Sequence, residues 1–118
     1  MTRPVRRSAM LACQVVRERD FRLVARWSID LSERGMLVTA DAPVLTGEPL
    51  IVSFKSPFAR AWIDAEATVA RVIHARRQGD RKRALGLFFE DLDAASRACL
   101  ATVLPWFRPI APRPRPSG

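Results

Sequence analysis

Two small groups of side chains in this sequence have the chemistry of a ligand site. The first group is three arginines near the amino end, with no acid among them: Arg3, Arg6 and Arg7. The second group is a D-x-S-x-x-G sequence made by Asp30, Ser32 and Gly35. A guanidinium can hold phosphate oxygens or the O6/N7 edge of guanine with two parallel hydrogen bonds. A carboxylate can accept from the N–H groups on the opposite guanine edge, so the two groups together predict a guanine-nucleotide site.

Neither group is specific when it is taken alone. The R-x-x-x-R spacing of Arg3 and Arg7 recurs at Arg22 and Arg26, as an arginine-rich chain allows by chance. A plain turn would also explain residues 30–35, because Asp and Ser cap local amides and Gly supplies the bend or a close backbone approach. The ligand interpretation is favoured because both groups occur in one chain, beside runs with strand patterns.

Catalysis is disfavoured by what the chain lacks. His74 is the single histidine, and no Cys/His group has metal-ligand spacing. No glycine-rich phosphate loop of a known kind is present. Asp64 and Glu66 share one strand face, which we expect to be solvated. We therefore predict that the protein is not an enzyme, with no catalytic residues, no metal and no cofactor.

Length and composition fit one domain that folds without disulfide bonds or a structural metal ion. The chain has 118 residues, of which 48% are hydrophobic, and a formal net charge of +8. Such a charge attracts phosphate, nucleic acid or acidic partners. The apolar stretch 9–12 is too short for a signal sequence, and no run is long enough to span a membrane, so we expect a cytoplasmic protein. Cys13 and Cys99 lie in apolar settings, which favours two unpaired thiols over a disulfide.

The hydrophobic pattern predicts a small β-protein with a closing helix. Alternation with a period of two indicates six strands, at 10–17, 21–29, 36–40, 48–55, 61–75 and 84–89. A helix follows, with Asp93 as its N-cap, and Pro105 should end it near Leu104. Such spacing of short strands is typical of an antiparallel barrel. We divide the chain into a flexible basic arm (1–9), the barrel with its helix (10–107) and a disordered Pro/Arg-rich tail (108–118).

This arrangement resembles the PilZ domain, the bacterial receptor domain for cyclic di-GMP. The resemblance covers nearly the whole chain, including the G-L-F-F-E run at 86–90 and the closing helix. It implies a six-stranded antiparallel β-barrel, with an arginine motif before the first strand and a [D/N]-x-S-x-x-G motif after the second. On that resemblance the cyclic di-GMP site includes two arginines and the second motif: Arg3, Arg7, Asp30, Ser32 and Gly35. Arg6 falls at a position that the family does not fix, and we add it for its chemistry.

Two functions of different classes follow from these observations. The first is a cyclic di-GMP receptor and adaptor, in which the ligand orders the arm (1–9) and changes a surface for a protein partner. The alternative is a basic barrel that binds nucleic acid or an acidic protein without a small ligand. We expect nucleic acid to be the less favoured partner because most Phe and Trp residues lie on faces predicted to be buried.

Overall fold

A computed structural model describes residues 5–56, 61–73 and 83–110 of the chain. Its strands, in chain order, are β1 (Arg7–Ser8), β2 (Ala12–Arg17), β3 (Leu23–Leu31), β4 (Gly35–Ala40), β5 (Pro49–Lys55), β6 (Trp62–Ile73) and β7 (Arg83–Leu92). Helix α1 (Ala94–Val103) follows, and a short 3-10 helix (Leu104–Trp106) extends it. The predicted strand at 84–89 extends further at both ends, and residues 74–82 before it lie outside the described residues.

Six of the strands close into an antiparallel barrel, as predicted. Around the barrel they run in the order β3, β2, β5, β6, β7 and β4, and pairing between β3 and β4 closes the ring. β1 lies outside this ring. It pairs with the part of β3 that extends beyond the pairing of β3 with β2. Alternate residues of the strands point inward and form one apolar core. The largest fully buried side chains include Phe54, Leu31, Leu50, Ile63, Leu85 and Leu100.

Helix α1 packs against β6 and begins and ends where the sequence predicts. The side chain of Asp93 accepts from the backbone N–H of Ser96 at 2.6 Å, which confirms it as the N-cap. Leu100 and Val103 are buried on the side that faces the barrel. Pro105 stands at the start of the 3-10 turn, where its missing N–H costs no helical hydrogen bond. In the described part of the chain, no helix has the length and apolar character needed to cross a membrane.

The burial pattern of β3 differs from the simple alternation that the sequence predicts. Trp27 pairs with Ala12 of β2, an exposed position, and its own side chain is 51% exposed. Ser28, by contrast, is fully buried. The β3–β4 register shifts between Ala25 and Trp27 and again after Ser28, and such irregularities change which face a side chain occupies. The expectation that most Phe and Trp residues are buried is therefore wrong. Among the described residues, the exposed ones are Phe21, Trp27, Trp62, Phe88 and Trp106.

The described part of the predicted arm is held on the barrel by backbone hydrogen bonds. The Ala9 N–H donates to the Ile29 carbonyl at 3.1 Å. The buried Ser28 hydroxyl donates to the Ala9 carbonyl and accepts from the Leu11 N–H. Where we expected a flexible segment, Arg7–Ser8 thus form a strand, because β3 extends past β2 and offers unpaired backbone groups there. Residues 1–4 of the arm lie outside the described residues.

The segment after the helix closes over the other edge of β1. The Ser8 N–H donates to the Arg108 carbonyl at 2.9 Å, and the Ile110 N–H donates to the Arg6 carbonyl at 2.8 Å. Arg7 and Pro109 form an antiparallel bridge between these two bonds. The start of the predicted disordered tail is therefore paired with the arginine motif, while residues 111–118 lie outside the described residues.

Both cysteines are free thiols, as predicted, and Cys13 faces the core. Burial raises the pKa of the Cys13 thiol from 9.0 to about 11. Between these values the unfolded chain binds fewer protons than the native protein, so stability should fall as pH rises. We expect a loss on the order of 2 kcal/mol across this window, measured by urea unfolding at a series of pH values. A Cys13→Ala variant should lack this component, and an unchanged slope in that variant would contradict the assignment.

Candidate functional site

The D-x-S-x-x-G motif spans the end of β3, a three-residue turn and the start of β4. Ser32 is buried and fixes this turn. Its N–H donates to the Gly35 carbonyl at 2.9 Å, and its hydroxyl contacts the same carbonyl at 3.4 Å and the Arg34 N–H at 3.3 Å. These bonds fit the capping role that Ser has in the plain-turn interpretation of residues 30–35.

Asp30 lies within β3, whereas the sequence pattern predicts that it lies in the loop after this strand. Its side chain is nearly buried and forms an ion pair with Arg6, through Arg6 Nη2 and Asp30 Oδ2. The Arg6 side chain is 47% exposed. β1 brings the two residues together, because Ser8 pairs with Asp30 in the register. The arginine at the position that the family pattern leaves open thus contacts the acidic residue of the second motif.

Arg7 makes a different contact. Its Nη1 donates to the backbone carbonyl of Phe107 at 3.0 Å, at the end of the 3-10 turn. Its backbone pairs with Leu31, so it stands one residue from the Arg6–Asp30 pair along β1. Arg7 does not line the cleft described below, and Arg3 lies outside the described residues.

Position 35 requires glycine because no space is left for a side chain, and not because of its backbone conformation. A Cβ atom on Gly35 would lie 2.0 Å from the carbonyl oxygen of Leu87 in β7. Among the described glycines, only Gly47 has a positive φ, at +86°. The motif glycine therefore lets β4 and β7 approach closely, which is one of the two roles that the sequence left open for it.

A surface cleft of about 210 Å³ joins four of the predicted residues. Its lining includes Arg6, Asp30, Ser32 and Gly35. Typical small-molecule pockets are roughly 300–1,000 Å³, so a ligand with two guanine bases would extend beyond this cleft. The cleft opens on the outer surface of the barrel, where an extended ligand can lie across several strands.

The cleft is also lined by residues that the sequence analysis did not place in the site. They come from the turn and from β6 and β7: Arg34, Arg71, Gly86 and Phe88. Three arginines and one carboxylate then face the same space, which favours an anionic ligand. Among the described residues, neither Arg34 nor Arg71 has a side-chain hydrogen bond or ion pair with the protein. The position of Arg34 inside the motif was one available signal, and the G-L-F-F-E run that contains Gly86 and Phe88 was another. Arg71 is brought there by strand order alone.

The remaining polar candidates lie elsewhere. Asp64 and Glu66 are exposed on β6, as expected, and Asp64 Oδ1 accepts from the Ser53 hydroxyl at 2.6 Å. Across residues 5–56, 61–73 and 83–110, no group of three His, Cys, Asp or Glu side chains could hold a metal ion. His74 lies outside the described residues.

Comparisons with known proteins agree with this architecture. Residues 3–104 match the family described as PilZ domain. The PilZ domain of YcgR from Escherichia coli, solved with c-di-GMP, superposes with a TM-score of 0.70 at 16% identity and covers 90% of each chain. The inhibitor of motility MotI/DgrA from Bacillus subtilis gives a TM-score of 0.70 at 22% identity. That alignment covers 90% of this chain and 49% of MotI, so this chain spans about half of its length. Comparison with curated protein sequences found no match.

Proposed function

The chain belongs to the PilZ domain family, and on that premise we propose that it is a cytoplasmic receptor for cyclic di-GMP that signals to a protein partner and catalyses no reaction. The observation that carries this proposal is the cleft in which Arg6 meets Asp30, beside the turn formed by Ser32. The PilZ domain of YcgR, which has the same fold, was solved with c-di-GMP. Four of the six predicted site residues thus line one cleft on the outer surface of a barrel, and a barrel of the same fold was solved with that ligand in another protein.

We propose that the ligand replaces the Arg6–Asp30 ion pair. Guanine N–H groups donate to the Asp30 carboxylate, and the released Arg6 guanidinium then turns to a phosphate or to the O6/N7 edge of a base. Asp30 is buried and therefore must keep a hydrogen-bonding partner, first Arg6 and then the ligand. Arg3 and Arg7 complete the arginine set in this proposal.

The signal in this proposal passes through Arg7. Its guanidinium holds the Phe107 carbonyl at 3.0 Å, and turning it toward the ligand removes that bond from the segment after the helix. The backbone of residues 7–9 is already on β3, so the ordering we propose for the arm (1–9) is mainly an exchange of side-chain partners at Arg6 and Arg7. The paired segments 6–8 and 108–110 are the surface that a protein partner would sense.

Isothermal titration of the purified protein with cyclic di-GMP, with GTP as the control ligand, tests the receptor function. We expect saturable binding of cyclic di-GMP alone, weakened by about 10- to 100-fold in Arg7→Ala, since hydrogen bonds to charged groups contribute roughly 1.5–3 kcal/mol. Arg22→Ala is the matched control, because Arg22 begins another R-x-x-x-R spacing on a different part of the barrel. If the folded parent protein did not bind cyclic di-GMP, the proposal would be refuted. Parent-like affinity in Arg7→Ala would show that Arg7 is not part of the site.

One observation favours the alternative of nucleic-acid binding. Trp27 and Trp62 are 51% and 57% exposed, whereas we expected most Phe and Trp residues to be buried. Exposed aromatic side chains on a basic protein can stack with unpaired bases. Binding to a single-stranded oligonucleotide should then weaken steeply between low and physiological salt, and should weaken further in Trp27→Ala. Binding that is flat with salt, or unaffected by this substitution, counts against the alternative.

A further inference from the structure

Ser28 places a hydroxyl in the apolar interior of the barrel. Its side chain is fully buried, and a buried hydroxyl is unfavourable unless it forms hydrogen bonds. The bonds that this hydroxyl forms go to the backbone on either side of Met10. It donates to the Ala9 carbonyl and accepts from the Leu11 N–H at 2.9 Å. The segment that joins β1 to β2 therefore accounts for a polar side chain at this position.

That segment contains one residue more than a continuous strand would need. β1 and β2 pair with the same edge of β3, with Ser8 opposite Asp30 and Ala12 opposite Trp27. The chain advances four residues from Ser8 to Ala12, but only three from Trp27 to Asp30. The extra residue makes a β-bulge at 9–11, where Met10 protrudes and is 73% exposed.

The Ser28 hydroxyl takes the place of the ladder hydrogen bonds that the bulge interrupts. The Ala9 N–H donates to the Ile29 carbonyl at 3.1 Å, and the Ser28 N–H donates to the Leu11 carbonyl at 2.9 Å. Between these bonds, the Ala9 carbonyl and the Leu11 N–H have no backbone partner among the described residues and meet the hydroxyl instead. Without the hydroxyl, both backbone groups would be left unpaired beside the core, which is costly.

The bulge decides which arginine faces Asp30. In the observed register Ser8 stands opposite Asp30, and Arg6, two residues earlier on the same face, forms the ion pair. If β1 instead continued the register of β2, Ala9 would stand opposite Asp30. Every side chain of β1 would then change face, and Arg7 would replace Arg6 beside the carboxylate. The offset of one residue thus brings Arg6 to the cleft and keeps Arg7 out of its lining.

We propose that Ser28 is a positioning residue for the ligand site. Its hydroxyl holds the bulge, and the bulge holds β1 in the register that brings Arg6 to Asp30. This inference rests on the proposed function and gives a role in it to a residue that does not line the cleft. Because β1 is already in place before the ligand arrives, binding does not have to order it, and affinity gains from this preorganisation.

Hydrogen exchange without ligand tests whether the hydroxyl holds this segment. Ser28→Thr and Ser28→Val introduce side chains of the same shape that differ in the hydroxyl. The Ala9 amide should exchange about tenfold faster or more in the valine variant than in the threonine variant, because buried backbone groups lose their partner. The Val15 amide, in the middle of β2, is the control and should change much less. Equal exchange at Ala9 in the two variants, or equal acceleration at Ala9 and Val15, would overturn the proposal.

Titration with cyclic di-GMP tests the consequence for the ligand. Ser28→Val should bind about tenfold more weakly than Ser28→Thr, with a more negative heat-capacity change, because the ligand then has to order β1. Arg6→Ala should weaken binding about tenfold in the threonine variant and much less in the valine variant, where Arg6 is no longer held beside Asp30. A purely structural role would give the same factor in both variants, and that result would refute the positioning role, as would parent-like affinity in Ser28→Val.

The two measurements separate this inference from the proposed function. If the parent protein does not bind cyclic di-GMP, the proposed function is refuted, and hydrogen exchange at Ala9 still decides whether Ser28 holds β1. If the parent binds and the variants of Ser28 bind equally well, only the positioning role is refuted. Should Ser28→Val fail to fold, Ser28→Ala replaces it in both comparisons, since alanine also lacks the hydroxyl and adds no volume.

Discussion

Gly35→Ala is expected to lower the free energy of unfolding by about 3 kcal/mol or more, the upper end of the cost of overpacking a well-packed region. The added Cβ would lie 2.0 Å from the Leu87 carbonyl oxygen, and the atom in its way is backbone, which cannot rotate aside as a flexible side chain can. β4 and β7 would have to separate where Gly35 pairs with Phe88, at the wall of the cleft. Chemical denaturation followed by tryptophan fluorescence measures the change.

Gly47→Ala is the matched control for this prediction. Gly47 has a φ of +86° and no atom within 4 Å of its virtual Cβ, so alanine there meets strain in the backbone but no collision. We expect a loss of about 1–2 kcal/mol, the usual cost of a left-handed conformation for a residue with a Cβ. If Gly35→Ala cost no more than Gly47→Ala, the close approach of β4 to β7 would not be the reason for the motif glycine.

Asp30→Ala is expected to weaken cyclic di-GMP binding by about 30-fold or more and to change stability little. The carboxylate is the one acidic group that lines the cleft in the described residues, and its loss removes the acceptor for guanine N–H groups. Stability should be nearly unchanged because Arg6 is half-exposed and can turn into water when its partner is removed. Titration calorimetry and thermal unfolding, performed on the same preparation, separate the two effects.

Asp30→Asn provides the conservative comparison. The amide keeps the size of the side chain and one acceptor oxygen, and the [D/N]-x-S-x-x-G pattern allows it. We expect binding within about tenfold of the parent, since one neutral acceptor replaces a charged one. Parent-like affinity in Asp30→Ala would contradict the assignment of Asp30 to the ligand, whatever the asparagine variant does.

The fold could be predicted from sequence because its main signals are local. Alternation along residues such as Leu50, Val52 and Phe54 places a strand on the core, and Asp93 with Pro105 limits the helix. The predictions failed where the pairing of strands, and not the local sequence pattern, decides the structure. The register shifts around Trp27 moved it to the surface. The pairing of Arg7–Ser8 with β3 joins residues 22 to 24 positions apart, and the pairing with the segment 108–110 joins residues about 100 positions apart.

The candidate site likewise contains residues that could be predicted from the sequence and residues that could not. The sequence supplied Asp30, Ser32 and Gly35 because their spacing is itself the motif. It could not supply Arg71, since nothing near it in the chain distinguishes it from other surface residues, and it marked Phe88 only as part of the G-L-F-F-E run. They join the site only because β6 pairs with β7 and β7 pairs with β4. The pairing of Arg6 with Asp30 likewise depends on the register of β1, which no pattern in residues 1–9 encodes.

The pairing of segments 6–8 and 108–110 also sets how the domain would respond to mechanical tension. Because the segments are antiparallel, the chain before Arg6 and the chain after Ile110 both leave the pairing at the same end. A force that separates the two flanks would load the Ile110–Arg6 hydrogen bond first and the Ser8–Arg108 bond next, peeling them one at a time instead of shearing them together. Segment 108–110 would thus detach from β1 at low force, while β1 keeps its pairing with β3. Tension on a tethered domain would then expose the edge of the strand that carries Arg7.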